Sequence, residues 1–315
     1  VLLVAGSLAI DRLYRCAELP EAGGSAMGAA NVSVGGQAGI TALAAKRSGA
    51  EVGVAAAVGD DVDGRMLRVL LARSGLNAFL TATKGAPTGS SATLCDDSGR
   101  FWCVDALAAN ALFEFGPDGE RLLEKTRLLL CHCDANPRAL YRLMSKARER
   151  GIGTILHAAP PRPEILKTLV PLADLVISGI EGFSELVRLF QPSGYGDFTG
   201  EQIHALSDTK LDALCRATTE SDMVVLMGAR GVFVSERDGS HRLVGGMAHA
   251  VKSSVYCARE TFIGALCARL LEGEPLKPAV RYAMVAASLA APLGGQEAIP
   301  AKGAVMQELG RAEQG

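Results

Sequence analysis

The feature that most constrains this chain is an alternation between two kinds of apolar stretch. Short apolar runs at Val1–Ala5, Val52–Val58, Leu128–Cys133, Thr154–His157, Leu175–Ser178, Met223–Met227 and Gly231–Ser235 read as strands. Between most of them lie amphipathic stretches of helical period, at Gly39–Gly49, Gly64–Ser74, Pro137–Glu149, Pro163–Leu172, Gly182–Leu189 and Thr209–Glu220. Strands that alternate with helices pair in parallel, because each crossover helix carries the chain back to the same end of the sheet. The pattern therefore predicts a doubly wound, mostly parallel α/β sheet covered on both faces, with ligands bound beyond the carboxyl ends of its strands. Such a sheet needs a large apolar supply, and 49% hydrophobic content over 315 residues provides it.

Two stretches break the rhythm. Residues 13–34 and 88–104 lack helical period, carry Gly, Pro and Ser, and read as hairpins, the second turning at Asp96-Asp97-Ser98-Gly99. They predict a small β-sheet lid inserted in one domain spanning 1–315. The loosest loop expected is residues 191–200.

Charge and cysteine content bound the partners. The 32 basic and 34 acidic residues leave a net charge of −2, which predicts no nucleic acid and no anionic membrane as partner. No apolar run approaches the roughly 18 residues of a membrane span. Eight scattered cysteines, mostly within apolar runs, suit free thiols in a reducing compartment. The cytoplasm is the expected location, or an organelle if a targeting segment precedes Val1. Cys131-His132-Cys133 offers metal-ligand chemistry, but no second Cys/His pair lies nearby at zinc-site spacing, and the triplet reads as the end of a strand.

The order of motifs resembles ribokinase and the wider PfkB family of carbohydrate kinases over essentially the whole chain. The similar segments are GSLAID (6–11), GGQAGITALAAKRSGA (35–50), GDDVDG (59–64), LLLCHCDANP (128–137), the stretch 156–186, LMGARGVFVS (226–235), ARETFIGAL (258–266) and the stretch 278–300. The resemblance implies a three-layer α/β/α sandwich with a β-sheet lid, and ATP- and Mg2+-dependent phosphorylation of a sugar or nucleoside hydroxyl. That chemistry needs a base for the hydroxyl proton and oriented donors for the transferring phosphoryl. The family sets both at one helix N-terminus.

Carried over residue by residue, the family's site is altered. Its phosphate-cradling turn reads Cys257-Ala258-Arg259-Glu260 here. Glu260 takes the base position with one methylene more than the family's aspartate. Arg259 replaces a glycine, where a β-carbon crowds the phosphate and a positive φ would strain the chain. Two readings of Arg259 stay open: a guanidinium that grips phosphate, or a surface residue paired with Glu260.

On the sugar side the resemblance gives Asp11, Gly35, Gly36 and Ile40, the last where the family has an asparagine, with Asp134 standing in for a substrate-facing glutamate. Asp11 reads equally as a ligand contact or as an acceptor for loop amides. On the nucleotide side it gives Ser178 for an asparagine, Glu181 retained on the Mg2+ side, Leu226 for a threonine, Gly228 and Gly231 retained, and Met284 for a polar adenine-side residue. Ser254 aligns with an aspartate of the cation loop. Asp60 and Asp61 remain, and read also as turn and helix caps. No residue is assigned firmly to a metal.

The losses fall on polar ligand-facing positions, while fold-specifying glycines and apolar residues persist. Groups that act as one catalytic unit lose most of their rate together. The expectation is a ribokinase-like protein of little or no kinase activity, a binding or scaffolding module for a sugar or nucleoside that needs no cofactor, with a protein partner or a second copy joined through the lid. The alternative is an active ATP-dependent kinase with Glu260 as base.

Overall fold

The structure, a computed structural model, describes residues 1–98, 100–190, 198–245, 257–290 and 295–312. Thus Ser254 and most of the 191–200 loop lie outside the described residues. The strands are β1 (Leu2–Ala5), β2 (Ala9–Cys16), β3 (Gly28–Gly35), β4 (Val52–Gly59), β5 (Asn77–Thr83), β6 (Gly89–Asp96), β7 (Phe101–Ala106), β8 (Leu128–His132), β9 (Gly153–His157), β10 (Leu175–Gly179), β11 (Asp222–Leu226), β12 (Val232–Ser235) and β13 (His241–Val244). The helices are α1 (Gln37–Arg47), α2 (Val62–Arg73), α3 (Pro117–Glu120), α4 (Pro137–Glu149), α5 (Pro163–Leu169), α6 (Ile180–Phe190), α7 (Gly200–His204), α8 (Asp208–Thr218), α9 (Ala258–Leu271), α10 (Leu276–Leu289) and α11 (Lys302–Ala312).

Nine strands form one sheet in the order β13-β12-β11-β10-β9-β8-β1-β4-β5. Pairing is parallel from β5 through β11 and antiparallel only at the β11-β12-β13 edge. The central strands are apolar at successive positions because helices cover both faces. Leu2, Val4 and Val54 point into a core shared with Phe262, Leu266 and Val280. Leu3, Leu129 and Val176 point the other way, against Leu140, Leu143 and Phe183. The result is the α/β/α sandwich that the alternation implied.

The remaining four strands form the smaller sheet, in the order β3-β2-β6-β7. Each half is an antiparallel hairpin, and β2 joins β6 in parallel. It starts earlier than expected, at Ala9 rather than residue 13, because the chain leaves β1 through Gly6 at φ 155° and re-enters extended backbone almost at once. Asp11 consequently belongs to the small sheet and not to the end of the first strand of the large one. Strands β5 and β13 were not foreseen. Both alternate in exposure or are partly exposed at a sheet edge, so neither presents a continuous apolar run.

Two helix starts are held together by a glycine contact. A β-carbon on Gly264 of α9 would press on the Thr41 carbonyl and lie 2.7 Å from Ala44 Cβ and 2.8 Å from Ala45 N, all on α1. Only glycine lets the two backbones approach this closely. The N-terminal ends of α1 and α9 therefore stand side by side at the carboxyl edge of the sheet.

Candidate active site

Helix α9 opens with a left-handed residue. Cys257 has φ 68° and ψ −5°, and Arg259 already lies in regular helix. The strain expected at Arg259 falls instead on Cys257, where a side chain in this conformation costs roughly 1–2 kcal/mol. The turn is completed before the helix begins, so Arg259 needs no special backbone. The amides of Ala258, Arg259 and Glu260 head the helix without intrahelical acceptors.

From this first turn the two charged side chains meet. Both Nε and Nη2 of Arg259 approach Oε1 of Glu260 at 3.0 Å. Glu260 is only 7% exposed, so this pair is partly withdrawn from water. Glu260 in turn holds the Arg259 guanidinium above its ordinary, already high, pKa.

Two cavities meet at Arg259, Gln37 and Pro160. The first, about 350 Å³, lies under the small sheet and is lined by Ser7, Gly36, Ile40, Asp105, Asp134 and Glu260 among others. The second, about 880 Å³, lies over the ends of β10 and β11 and is lined by Gly179, Glu181, Glu201, His204, Leu226 and Gly228 among others. Both volumes fall in the range of small-molecule sites.

In the first cavity the carboxylates are held in different ways. Asp134, 3% exposed, accepts from the Ser7 amide at 2.9 Å and from the Ser7 hydroxyl, which itself accepts from the Gln37 amide at 3.0 Å. Burial pushes the Asp134 carboxyl up to about 6. Asp11 does not line the cavity. It stands behind Ser91 and accepts from the Ser91 hydroxyl at 2.7 Å and the Thr93 hydroxyl at 3.2 Å. Gly35 supports it, since a β-carbon there would lie 2.8 Å from Asp11 Cβ. Gly36, at φ 78°, lets the chain pass where a β-carbon would meet the Ser7 carbonyl at 2.5 Å. Ile40 presents an apolar wall where a hydrogen-bonding side chain was the family expectation.

The second cavity sets Gly228 and the side chains of Glu181, Glu201, His204 and Arg259 beside an apolar wall. Gly228 (φ 57°) and Gly231 (φ 100°) form the turn after β11, and Leu226 is 7% exposed at the wall. Ser178 is buried with a hydroxyl that has no hydrogen-bond partner among the described residues, and it does not reach the cavity lining. Met284, expected on the adenine side, packs into the core from α10 at 2% exposure and lines neither cavity. An apolar side chain on the sheet-facing side of a helix goes where burial is most favourable. The cavity's size and its glycine turn leave room for a nucleotide, and Glu181 and Glu201 are the two carboxylates that line it among the described residues.

Several residues of the site escaped the sequence reading. Gln37 lines both cavities, and its side chain lies 3.2 Å from Nδ1 of His132. His132 and His157, cross-strand partners at the ends of β8 and β9, are fully buried with their Nδ1 atoms 2.9 Å apart. Burial depresses both imidazoles, His132 to about 3. Neither Nε2 has a partner among the described residues. Cys131 and Cys133 are buried on the opposite face of the strand with their thiols pushed up by burial, and no metal-holding cluster occurs among the described residues. Asp60 and Asp61 are accounted for in part by capping: Asp61 accepts from the Gly64 amide at 2.7 Å and ties α2 to Thr88. Among the described residues no helix is long and apolar enough to cross a membrane.

A family model described as pfkB family carbohydrate kinase matches residues 2–301. The ribokinase of Haemophilus influenzae is 24% identical over 318 residues, covering 99% of each chain. Among solved structures, ribokinase from Giardia lamblia shares the fold with a TM-score of 0.82 at 21% identity, over 98% of this chain and 99% of its own. Arabidopsis thaliana ribokinase, solved with ribose and ATP, gives 0.76 at 19% identity over 98% of each chain.

Proposed function

The chain belongs to the pfkB family of carbohydrate kinases, and from that premise we propose that it is a sugar-binding member whose phosphoryl transfer is suppressed, serving as a binding or scaffolding module. The observation that carries this is the Arg259–Glu260 pair at the junction of the two cavities. A base must accept the acceptor hydroxyl's proton, and the Oε1 atom of Glu260 already receives two guanidinium contacts. Ile40 and Leu226 add apolar walls on either side of that junction, where hydrogen bonds would orient ligand and phosphate. The acceptor cavity nevertheless keeps Asp134, Asp105 and the Gly35-Gly36 turn, so a small polyol still has groups to meet.

The test is phosphoryl transfer from Mg2+-ATP across a panel of sugars and nucleosides, with thermal shift as the readout of binding. The expected result is stabilisation by at least one sugar or nucleoside and transfer at background. Turnover well above background that Glu260→Gln abolishes would overturn the proposal.

One observation favours a second reading, an active kinase with Glu260 as base. The left-handed turn at Cys257 and the first-turn amides of α9 persist at the acceptor cavity, and the Arg259 side chain is half exposed. In that reading Arg259 turns from Glu260 to a phosphate, Gly228 and Gly231 shape the nucleotide turn, and Glu181 faces Mg2+. ATP would supply the transferred γ-phosphoryl. Clear stabilisation by Mg2+-ATP, together with transfer lost in Glu260→Gln, selects it.

The outer face of the small sheet supports a protein partner, of which a second copy is the simplest. Strand register sets Tyr14 and Trp102 on one row and Val32 and Val104 on the next, all exposed. Contiguous exposed apolar area of this kind marks interaction surfaces. Sedimentation equilibrium of the wild type against Val104→Glu tests it, with a dimer that the variant dissociates as the expected result.

A further inference from the structure

The carboxylates around the acceptor cavity differ in what the protein gives them. Asp11 receives two hydroxyl donors, Asp134 an amide and a hydroxyl, and Glu260 a guanidinium. Asp105 lines the same cavity from β7 and, among the described residues, receives only the Cys103 thiol, a weak donor, at 3.7 Å. The register explains why. Ser91 of β6 lies between Asp11 of β2 and Asp105 of β7 on the face turned to the cavity. Its hydroxyl has one proton, and that proton goes to Asp11. No second donor on this row reaches Asp105 among the described residues.

Around Asp105 the charge of the cavity is mostly negative. Arg259 is the one cation lining the cavity among the described residues, and it is engaged by Glu260. Partial loss of water pushes the Asp105 carboxyl above the usual carboxylate range, the charges of Asp11 and Glu260 add to the effect, and the Cys103 thiol and Arg259 offset part of it. A neutral hydroxyl would supply a hydrogen bond there without relieving the repulsion. An ammonium supplies both the donor and the opposite charge.

We infer that the acceptor cavity takes an amine-bearing polyol, an amino sugar or amino alcohol, whose ammonium group is read by Asp105 from the small sheet. Asp134 and the Ser7 hydroxyl then meet the ligand's hydroxyl side, and Ile40 and Phe101 bound its apolar face. The inference rests on the sugar-binding reading above and assigns it a substrate class. It requires no phosphoryl transfer, so it stands whether Glu260 acts as a base or is held by Arg259.

The test uses the full chain and three matched sugars, D-glucose, D-glucosamine and N-acetyl-D-glucosamine, with the corresponding D-galactose series, in titration calorimetry at pH 7. A charge-assisted contact is expected to favour the amino sugar over its neutral counterparts by about tenfold in dissociation constant. Asp105→Asn, an exposed position on the small sheet, is expected to lower amino-sugar affinity by about the same factor and to change the neutral sugars' affinity far less. Equal or tighter binding of a neutral sugar overturns the inference while leaving the sugar-binding reading in place. So does an amino-sugar preference that survives Asp105→Asn. Binding by no member of either series overturns both.

Discussion

The two cavities that meet at Arg259 have fared differently. The one under the small sheet is the smaller, about 350 Å³ against 880 Å³, yet its carboxylates Asp134 and Glu260 are held by partners within the fold. The larger keeps its glycine turn and its space but presents Leu226 at its wall, and two of the polar positions expected to serve it have withdrawn from its lining: Ser178 is buried behind it and position 284 is a core methionine. The contrast teaches that one cavity of this fold can lose polar positions from its lining while its neighbour keeps its carboxylates in place. Space for a nucleotide is kept by glycines and apolar packing, whereas use of that nucleotide depends on a few polar atoms that contribute little to stability.

The largest effect should come from the tight turn that leads into Gln37. Gly36→Val adds a β-carbon 2.5 Å from the Ser7 carbonyl at a φ of 78°. The expected loss is about 3 kcal/mol or more in chemical denaturation, with both cavities affected alike. A variant that spared one cavity would show that they are less closely joined than the geometry indicates.

Acid should separate the two sides next. His132 and His157 are depressed in the fold, so the stability associated with their neutral forms is complete above about pH 6.5 and is lost as pH falls below it, by roughly 1.4 kcal/mol per unit for each. Asp134 has the opposite sign. Its folded value of about 6 exceeds its unfolded one, so its contribution is complete below the unfolded value and is lost as pH rises through 6. Between pH 7 and 5 the two histidines should cost more than Asp134 returns, a net loss on the order of a few kcal/mol. Denaturation at the two pH values checks this, and Asp134→Asn should make the acid loss steeper.

Ligands test the contrast directly. A sugar at about 100 times its dissociation constant should add ~2.7 kcal/mol of stability, and Mg2+-ATP at millimolar concentration far less. Equal stabilisation by both would erase the difference between the cavities. The smallest effect expected is that of Leu226→Thr, which returns a hydroxyl to the larger cavity: roughly 1 kcal/mol lost in stability and a several-fold gain in nucleotide affinity. A variant with no gain would place the defect elsewhere, at Arg259 above all.

Much of the scaffold could be read from the chain because it depends on periodicity. The central strands are apolar on both faces, so Val52–Val58 and Leu175–Ser178 declared themselves, whereas β5 and β13 are edge strands with no such signature. Glu260, Arg259, Gly36, Ile40 and Asp134, all named by the family motifs, line one cavity. The motifs could not show that Asp11 sits one layer back behind Ser91, or that Met284 faces the core, because both depend on which way a side chain points within an element. Nor could they show the histidine pair, which exists only because β8 and β9 are neighbours in a particular register. Asp105 went unnoticed for the same reason: its lack of a strong donor follows from strand order, and strand order is not written locally.

The glycine contact between α1 and α9 has a mechanical consequence. With Gly264 set against Thr41, Ala44 and Ala45, the two helices behave as one strut, and their N-terminal ends carry Gln37 on one side and Arg259 and Glu260 on the other. A displacement of either end is transmitted to its neighbour at once, so the residues that flank the junction are aligned by the rigidity of a helix pair rather than by a direct bond between them.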